Sequence, residues 1–340
     1  MPPQRATLLQ VAQRAGVSRS TASFVLAGRH LDMRISEDAR QRVLRAAQEL
    51  DYRPNLMARS LRTKVTRTIA LVSDTLASDP YAGKAIHGAL AAAVAHGHLL
   101  FIGETEGDPV VEEKLISDFL DRQVDAFIYA SMFTRPVRLP KLLKGHAVVL
   151  LNCLTGGARP AHHQIIPDEL TAGWSAAATL LEAGHRDGIH LVGKTGENVF
   201  AGRERLAGIR EGLTAAGVRL AGAIDCDWWP DSAYEAVRRA LADGFAPRAL
   251  ICLNDRIAFG AYQALRETGR VIPDDVSVIS FDDSDLAAWL RPQLTSISLP
   301  HYQLGWQAVG KLLGPASDPA VLRVPMPVRR RASVGKPAVR

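Results

Sequence analysis

The chain of 340 residues has few of the features that mark disulfide-stapled, secreted or membrane-bound proteins. It has only three cysteines, Cys153, Cys226 and Cys252, which lie far apart and form neither a CxxC motif nor a cluster with histidines. This pattern indicates neither a disulfide framework nor a zinc site. The longest apolar runs, such as Ala147–Leu151 and Ala249–Leu253, are far shorter than the roughly 20 residues of a membrane-spanning helix, and the N-terminus has no hydrophobic signal segment. We therefore expect a cytoplasmic protein that needs no metal, cofactor or membrane.

The motifs of common nucleotide-binding and hydrolytic enzymes are also missing. The glycine-rich stretch LVGKTGE at 191–197 lacks the GxxxxGK[ST] pattern of a phosphate-binding loop, and neither GxGxxG nor GxSxG occurs. We therefore expect that the protein is not an enzyme. The content of 47% hydrophobic and 22% charged residues is typical of a folded globular protein, and the length predicts about two domains.

Positive charge is concentrated at the two ends of the chain. Residues 1–64 carry 12 Lys and Arg against 5 Asp and Glu, a net charge of +7, and residues 329–340 carry +5. Residues 65–328 carry −6. A basic segment attached to an acidic body is typical of a nucleic-acid-binding headpiece, although a solvated charged surface is the alternative interpretation.

The N-terminal segment contains signals for two short helices. Thr7 with Gln10 forms a capping box for a first helix, which Gly16 ends. Ser18 can cap a second helix, predicted over 19–27. Two short helices joined by a turn that contains glycine are typical of a helix-turn-helix.

Apolar residues at helical spacing predict a small three-helix core. They are Leu8, Val11, Ala12 and Ala15 in the first helix, Ala22, Val25 and Leu26 in the second, and Val43, Leu44, Ala47 and Leu50 in a third helix from Ser36 to about Leu50. The side chains that would face DNA from the second helix are Arg19, Ser20, Thr21, Ser23 and Phe24. An ordinary three-helix bundle without a DNA role is the alternative.

A further short helix is predicted directly after this bundle. In the segment YRPNLMARSLRT at 52–63, Pro54 can begin a helix of little more than two turns. This segment and TLLQVAQRAGVSRSTASFVLAG at 7–28 together resemble the LacI/GalR (lactose-repressor) family of bacterial transcription regulators. The resemblance extends from Thr7 to Ser333.

The resemblance implies how the headpiece contacts DNA. Thr7 and Ser18 join the exposed side chains of the second helix as DNA contacts. The short helix becomes a hinge that pairs with its dimer mate in the minor groove. Leu61 would be the wedge between base pairs, with Asn55 and Ala58 supporting the hinge, and an apolar wedge of this kind bends the duplex. A core leucine is the alternative interpretation of Leu61.

Phe24 departs from the family pattern, which often has arginine at this position. Phenylalanine cannot make the bidentate contact by which arginine reads guanine, although it can touch a thymine methyl group. Arg19 therefore becomes the stronger candidate for reading a base. The operator sequence is expected to differ from the usual family consensus.

From Arg67 onward, short β-branched runs alternate with helical segments in two similar series. Predicted helices cover 81–96, 110–122, 168–183, 201–216, 231–242 and 255–268. Such alternation predicts parallel sheets covered by helices on both faces. The family resemblance makes the fold an N-terminal all-α helix-turn-helix headpiece plus a periplasmic-binding-protein-like α/β core of two doubly wound subdomains.

The resemblance also implies domain limits. The headpiece would span 1–52, the hinge and linker 53–65, the core 66–335 and a tail 336–340. Within the core, one subdomain would contain about 66–165 and 298–325, and the other about 166–297 and 326–335.

Candidate ligand contacts follow the predicted strands, because ligands in open α/β sheets bind beyond the carboxyl ends of the strands. They are Asn152, Asn254 and Asp282 after strands, Arg205 early in a helix, and the aromatic residues Trp229 and Tyr81. Arg205, Asn254 and Asp282 match the family pattern residue by residue, and the other three match it loosely. The alternatives are structural: Asn254 would cap a helix, Asp282 would bind backbone amides and Arg205 would pair with a surface glutamate such as Glu204.

The sequence thus predicts a repressor whose affinity for a near-palindromic operator is controlled by a small-molecule effector. The candidate contacts suit a monosaccharide, a disaccharide or a sugar acid, and family members also bind purines and nucleosides. The tail RRRASVGKPAVR has no leucine heptads, so a homodimer associated with the bacterial nucleoid is expected rather than a tetramer. A solute-binding protein without a DNA role is the alternative function.

Overall fold

The computed structural model describes residues 6–53, 64–78, 83–157 and 159–337. Contacts within the chain divide it into two units, Met1–Thr66 and Arg67–Arg340. The first unit is the basic headpiece, and the second is the α/β core.

Three helices form the headpiece: α1 at Leu8–Ala15, α2 at Arg19–Leu26 and α3 at Glu37–Glu49. The predicted capping box is present, since the Thr7 hydroxyl accepts a hydrogen bond from the Gln10 backbone and the Gln10 side chain accepts one from the Thr7 backbone. α1 ends at Gly16, whose φ of 66° lies in the left-handed region that glycine adopts without strain. Ser18 caps α2 through its side chain, which accepts a hydrogen bond from the Thr21 backbone.

A small apolar core joins the three helices. Its buried members are Val11, Ala12, Ala15, Ala22, Val25, Val43 and Ala46. The prediction that Leu44 lies in this core is wrong, because its side chain is exposed. The buried face of α3 passes through Val43 and Ala46, three residues apart, and Leu44 lies about 100° around the helix from Val43.

The core of the protein has two lobes, each built on one sheet. The first lobe contains β1 at Thr68–Ser73, β2 at Leu99–Glu104, β3 at Ala126–Pro136, β4 at Val148–Leu154, β5 at Gln164–Pro167 and β11 at Val321–Val324, with helices α4 at Gly83–Ala95, α5 at Pro109–Asp121 and α11 at His301–Leu313 and a 3-10 turn at Lys141–Leu143. The sheet order is β11-β5-β4-β3-β1-β2, and all pairs are parallel.

The second lobe has the same type of sheet. It contains β6 at Ile189–Val192, β7 at Gly222–Ile224, β8 at Ala249–Cys252, β9 at Ser277–Asp282, β10 at Thr295–Ser298 and β12 at Val328–Arg329, with helices α6 at Glu169–Glu182, α7 at Phe200–Ala215, α8 at Pro230–Ala242, α9 at Asp255–Glu267 and α10 at Asp285–Trp289. The order is β12-β10-β9-β8-β6-β7, and only the β10–β12 pair is antiparallel.

The predicted fold class is confirmed: a helical headpiece precedes two parallel-sheet α/β lobes. The helices predicted for the core lie within two residues of the observed ones, because apolar residues at helical spacing pack against buried strands. The sequence pattern did not predict the short strands β5, β10, β11 and β12. In the first lobe, β3 extends to Pro136 after a shift in register between Ala130 and Arg135.

The chain passes between the lobes after β5, after β10 and between β11 and β12. The carboxyl ends of the parallel strands therefore carry the loops in which ligand-binding residues of such sheets are found. Across the described part of the chain, the helices are too short or too polar to span a membrane. The described residues also contain no cluster of side chains suited to a metal ion.

Candidate functional site

The headpiece presents a polar face along α2. Ser18, Arg19 and Ser20 are exposed, and Thr21 and Ser23 are partly buried. Ser18 Oγ accepts a hydrogen bond from the Thr21 backbone over 3.0 Å and lies 2.8 Å from the Thr21 hydroxyl. The hydroxyls of Ser18 and Thr21 therefore stabilise the N-terminus of α2.

Several arginines of the headpiece are paired with carboxylates, whereas Arg19 has no such pairing within residues 6–53. Arg14 contacts Glu49 and Arg40 contacts Glu37 at 2.9 and 2.5 Å. Within residues 6–53, Arg19 has no carboxylate at ion-pair distance. A guanidinium in this position is free to meet a phosphate or a base edge.

The partly buried Phe24 lies against Arg29 on the same unit. The guanidinium carbon of Arg29 is 5.7 Å from the centre of the Phe24 ring. The ring therefore gives Arg29 a cation–π contact and holds it close to α2. The hinge candidates Asn55, Ala58 and Leu61 lie outside the described residues.

A buried ion pair stands at the carboxyl edge of the second lobe. Arg205 on α7 is 1% exposed, and its Nε and Nη2 donate to the two oxygens of Glu169 over 2.6 and 3.1 Å. Its Nη1 donates to the backbone carbonyl of Leu253. The guanidinium also lies over the rings of Trp228 and Phe281, with centroid distances of 5.5 and 4.5 Å.

Close packing of two helices brings this pair together. A Cβ atom on Gly173 of α6 would lie 2.1 Å from the Arg205 carbonyl, and one on Gly208 of α7 would lie 1.9 Å from the Leu170 carbonyl. Only glycine permits such an approach. Glu169 is the first residue of α6, where the helix dipole favours a carboxylate.

Asp282 ends β9 next to this pair. Its φ is 103°, a strained left-handed conformation for an aspartate, and its side chain is 27% exposed. One carboxylate oxygen lies 3.9 Å from Arg205 Nη2. Burial raises the pKa of Asp282 well above its usual range, and the Arg205 charge opposes that rise.

Asn254 and Asp255 form the junction between β8 and α9. The Asn254 side-chain oxygen accepts a hydrogen bond from the Ile257 backbone over 2.7 Å, and its amide nitrogen reaches the Trp228 carbonyl at 3.4 Å. Asp255 is fully buried and accepts hydrogen bonds from the hydroxyls of Ser280, Ser284 and Ser296. Burial raises the pKa of Asp255 despite these bonds.

The two adjacent tryptophans have different surroundings. Trp229 is 60% exposed, and the Arg256 guanidinium lies 4.7 Å from its ring. Trp228 is half-buried against Arg205, and its Nε1 donates to the Lys194 carbonyl over 3.0 Å. The sequence indicated Trp229 but not Trp228 or Glu169, although the pair of tryptophans at 228–229 and the acidic residue at the start of α6 are visible in it.

The facing edge of the first lobe has its own polar network. Asp74 follows β1, and its carboxylate accepts hydrogen bonds from the Ser131 hydroxyl at 2.7 Å, the Met132 backbone at 2.8 Å and Arg135 at 3.1 Å. Burial alone would raise the pKa of Asp74, but these bonds and one from the Thr75 backbone lower it below its usual range. This carboxylate is therefore ionised and fixed.

Two buried polar atoms at this edge have no partner among the described residues. They are the Asn152 side-chain oxygen and the Ser73 hydroxyl. The Asn152 amide nitrogen is 3.4 Å from the Met132 carbonyl, and its φ is 53°. Because an unpaired buried polar group costs about 1–3 kcal/mol, a bound hydroxyl at this edge would recover stability. Tyr81 lies outside the described residues.

The structure thus brings Arg205, Asn254 and Asp282 together at one edge of the second lobe. Asn152 lies on β4 of the first lobe, and Trp229 faces solvent beside Arg256. The residues not foreseen from the sequence are Glu169, Trp228 and the Asp74 network. Together these groups can donate to and accept from a polyhydroxyl molecule and stack on its apolar face.

Comparisons with known proteins agree with this architecture. Residues 7–55 match the family described as bacterial regulatory proteins, lacI family, and residues 177–334 match the periplasmic binding protein-like domain. The chain is 32% identical over 310 residues to the HTH-type transcriptional regulator AscG of Escherichia coli K12, covering 90% of this chain and 91% of the relative. It is 30% identical over 312 residues to the HTH-type transcriptional repressor PurR of Erwinia tasmaniensis, covering 91% and 89%.

Solved structures show the same fold. The Lac repressor dimer bound to operator and the anti-inducer ONPF has a TM-score of 0.77 at 24% identity, covering 98% of this chain and all of that one. A complex of the transcriptional regulator CelR with cellobiose has a TM-score of 0.63 at 28% identity, covering 97% and 100%. The family inferred from the headpiece motifs is confirmed: this chain belongs to the lacI family of bacterial regulatory proteins and is a DNA-binding transcriptional regulator.

Proposed function

We propose that this regulator is a repressor that binds a near-palindromic operator as a homodimer and that a small sugar, held between the two lobes of its core, controls its affinity for DNA. The observation that carries the proposal is the presence, in one chain, of a capped helix-turn-helix and a two-lobed α/β core with polar strand ends. The relatives are named as regulators and repressors, and we propose no catalytic activity for this chain.

On the DNA side, we propose that Arg19 reads a base and that Ser20, Thr21, Ser23 and Phe24 contact neighbouring groups in the major groove. Arg19 and Ser20 are exposed, and within residues 6–53 no carboxylate lies at ion-pair distance from Arg19. Both observations support this assignment. Thr7 and Ser18 would contact phosphates while they cap their helices. The hinge residues Asn55, Ala58 and Leu61 stay predictions from the sequence.

On the effector side, the proposed contacts include Asp282 and Arg205 in the second lobe and Asn152 in the first. Asp282 is partly exposed, and the polar oxygen of Asn152 has no partner among the described residues. We add Trp228 as the ring that stacks on the sugar, because it lies against Arg205 and Asn254. The remaining proposed contacts are Asn254, Trp229 and Tyr81. CelR was solved with cellobiose, which supports a sugar as the ligand class.

For the dimer, we propose an interface at the outer edge of the first lobe. β2 is the edge strand of its sheet, and Leu99 and Ile102 on it are exposed. Leu90 and Val94 on α4 and Val110 on α5 are further exposed apolar residues of the same lobe. An exposed apolar edge strand favours association, and a second copy would cover it symmetrically.

We also propose the domain limits given above: headpiece 1–52, hinge and linker 53–65, core 66–335 and tail 336–340. The lobe allocation of the strands supports limits near 165, 298 and 326. Since the target is operator DNA, the bacterial nucleoid is the proposed site of action.

The experiment that tests this function uses the full chain. A binding site is selected from random duplex DNA, and gel shifts then measure its affinity with and without each sugar of a panel. A palindromic site whose affinity changes with one sugar is expected, and sedimentation should give a dimer. Failure to enrich any sequence would contradict the DNA role, and an operator affinity that no small molecule alters would contradict the effector role.

A further inference from the structure

The guanidinium of Arg205 in the second lobe already makes a bidentate contact within the protein. A guanidinium recognises a carboxylate or phosphate through two parallel N–H bonds. In Arg205, Nε and Nη2 make this bidentate contact with Glu169, and Nη1 donates to the Leu253 carbonyl. Of the five N–H groups of arginine, two are left for single bonds to a neutral acceptor.

Carboxyl groups outnumber guanidiniums around this arginine. The carboxyl groups are those of Glu169, Asp255 and Asp282. Arg205 and Arg256 contribute two guanidiniums, and both stabilise the ionised form of Asp282. Arg256 is itself held against the ring of Trp229. An anion brought to this edge would meet Asp282 and Glu169 at short range.

Two further cations near the strand ends, Lys194 and Arg135, are paired with carboxylates. Lys194, which follows β6, lies 2.6 Å from Asp227. On the first lobe, Arg135 lies 3.1 Å from Asp74. These cations therefore offer little uncompensated charge to an anionic ligand.

We propose that the cleft selects a ligand without negative charge, a neutral polyhydroxyl compound, and that Glu169 determines this selectivity by keeping the Arg205 fork occupied. The inference rests on the proposed effector role of the cleft. A hydroxyl can donate to Asp282 and accept from a remaining N–H of Arg205, whereas a carboxylate can only accept, and a phosphate group brings a charge of about −1.5 to −2 next to these carboxyl groups. This excludes the sugar acids that the sequence alone allowed.

The test compares four variants of the full chain with the wild type. E169Q removes the carboxylate that occupies the Arg205 fork, and the double variant E169Q/D282N removes the Asp282 carboxyl group as well. E211Q makes the same chemical change as E169Q at an exposed position of α7. Each is titrated calorimetrically with inorganic phosphate and with three matched pairs: glucose and glucuronate, ribose and ribose 5-phosphate, and cellobiose and cellobionate. Because all five proteins carry the same basic headpiece, any binding of phosphate to the headpiece is the same in each titration.

Phosphate affinity is expected to rise about tenfold or more in E169Q, to rise at least as much in E169Q/D282N, and to stay at the wild-type value in E211Q. Where a matched pair binds the wild type, the neutral ligand should bind more tightly than the acidic one. In E169Q the ratio between the two affinities should be smaller. Circular dichroism and sedimentation check that each variant is folded. The fourth variant, D282N, removes the Asp282 carboxyl group and keeps the Glu169–Arg205 pair.

Two results would overturn the selectivity: an acid or phosphate that binds the wild type as tightly as its neutral partner, or phosphate affinities that are equal in all variants, including D282N. If the neutral sugars do not bind while the phosphate series behaves as expected, the charge selectivity stands and the proposed sugar effector is wrong. The two failures are therefore distinguishable.

Discussion

Arg205 Nε lies 2.6 Å from Glu169 Oε2, and this contact ties α7 to the first residue of α6. Both side chains are almost completely buried, so each ion relies on the other for compensation. The guanidinium is thus part of the packing between the two helices as well as a candidate ligand contact. Variants of Arg205 therefore report on stability and on effector response at once.

We expect Arg205→Ala to lower the free energy of unfolding by about 3–5 kcal/mol, because Glu169 would be left buried and unpaired. Urea denaturation of the full chain measures this, with Arg210→Ala, an exposed arginine on α7, as the control. The double variant R205M/E169L should recover much of the loss, since it removes both charges. A single variant as stable as the wild type would contradict the compensation argument.

Much of this fold could be predicted because its signals are local. The capping box at Thr7 and the glycine at position 16 fix helix ends within a few residues of chain, and buried β-branched runs mark the strands. The Glu169–Arg205 pair could not be predicted, because its partners are 36 residues apart and meet only through the close crossing at Gly173 and Gly208. The sequence offered Glu204 as the partner of Arg205, but Glu204 instead contacts Arg203 and Arg323.

Arg19→Ala should relax operator specificity at one base pair in each half-site, at a cost of about 1–3 kcal/mol per contact. The exposed position of Arg19 on α2, without a carboxylate at ion-pair distance within residues 6–53, is the reason. Gel shifts with a set of single-base operator variants measure the effect. Arg40→Ala, which removes the same charge from a residue paired with Glu37, is the matched control. An equal loss on every sequence would make Arg19 a phosphate contact.

Leu61→Ala should weaken binding to the selected operator far more than binding to random DNA. An apolar wedge acts only where the duplex can be bent, and this leucine stands among the basic residues Arg59, Arg62 and Lys64. Footprinting should show that the base-pair step at the centre of the operator is no longer distorted. Unchanged affinity and footprint would leave Leu61 without a role in the operator complex.

His185 predicts a dependence of stability on pH. It is buried, its Nε2 lies 3.0 Å from the Ser277 hydroxyl and 3.1 Å from the Gly335 carbonyl, and its Nδ1 has no hydrogen-bond partner among the described residues. Burial lowers the pKa of His185 below its usual 6.5, and the nearby Arg248 acts in the same direction. The folded protein therefore binds this proton less tightly than the unfolded chain does.

The contribution of neutral His185 to the free energy of unfolding is therefore fully present above pH 6.5 and is lost as the pH falls below that value. Urea midpoints of the wild type and His185→Gln, measured from pH 8 to pH 5, should converge toward acid pH. The lowered pKa of His190, caused by burial, contributes equally to both proteins and cancels in the comparison. If the urea midpoints of the two proteins changed with pH in parallel, His185 would not contribute to the loss of stability in acid.

The neighbouring tryptophans allow a matched test of the effector site. Trp228 lies against Arg205 and carries the carbonyl that Asn254 reaches, whereas Trp229 is largely exposed beside Arg256. We expect Trp228→Ala to lower affinity for the effector by at least about tenfold, because an aromatic face is lost from the polar cluster. Trp229→Ala should have a smaller effect. Calorimetry with the identified sugar, beside gel shifts without it, separates loss of the ligand from loss of DNA binding. A larger effect of Trp229→Ala would return the stacking role to the residue that the sequence alone indicated.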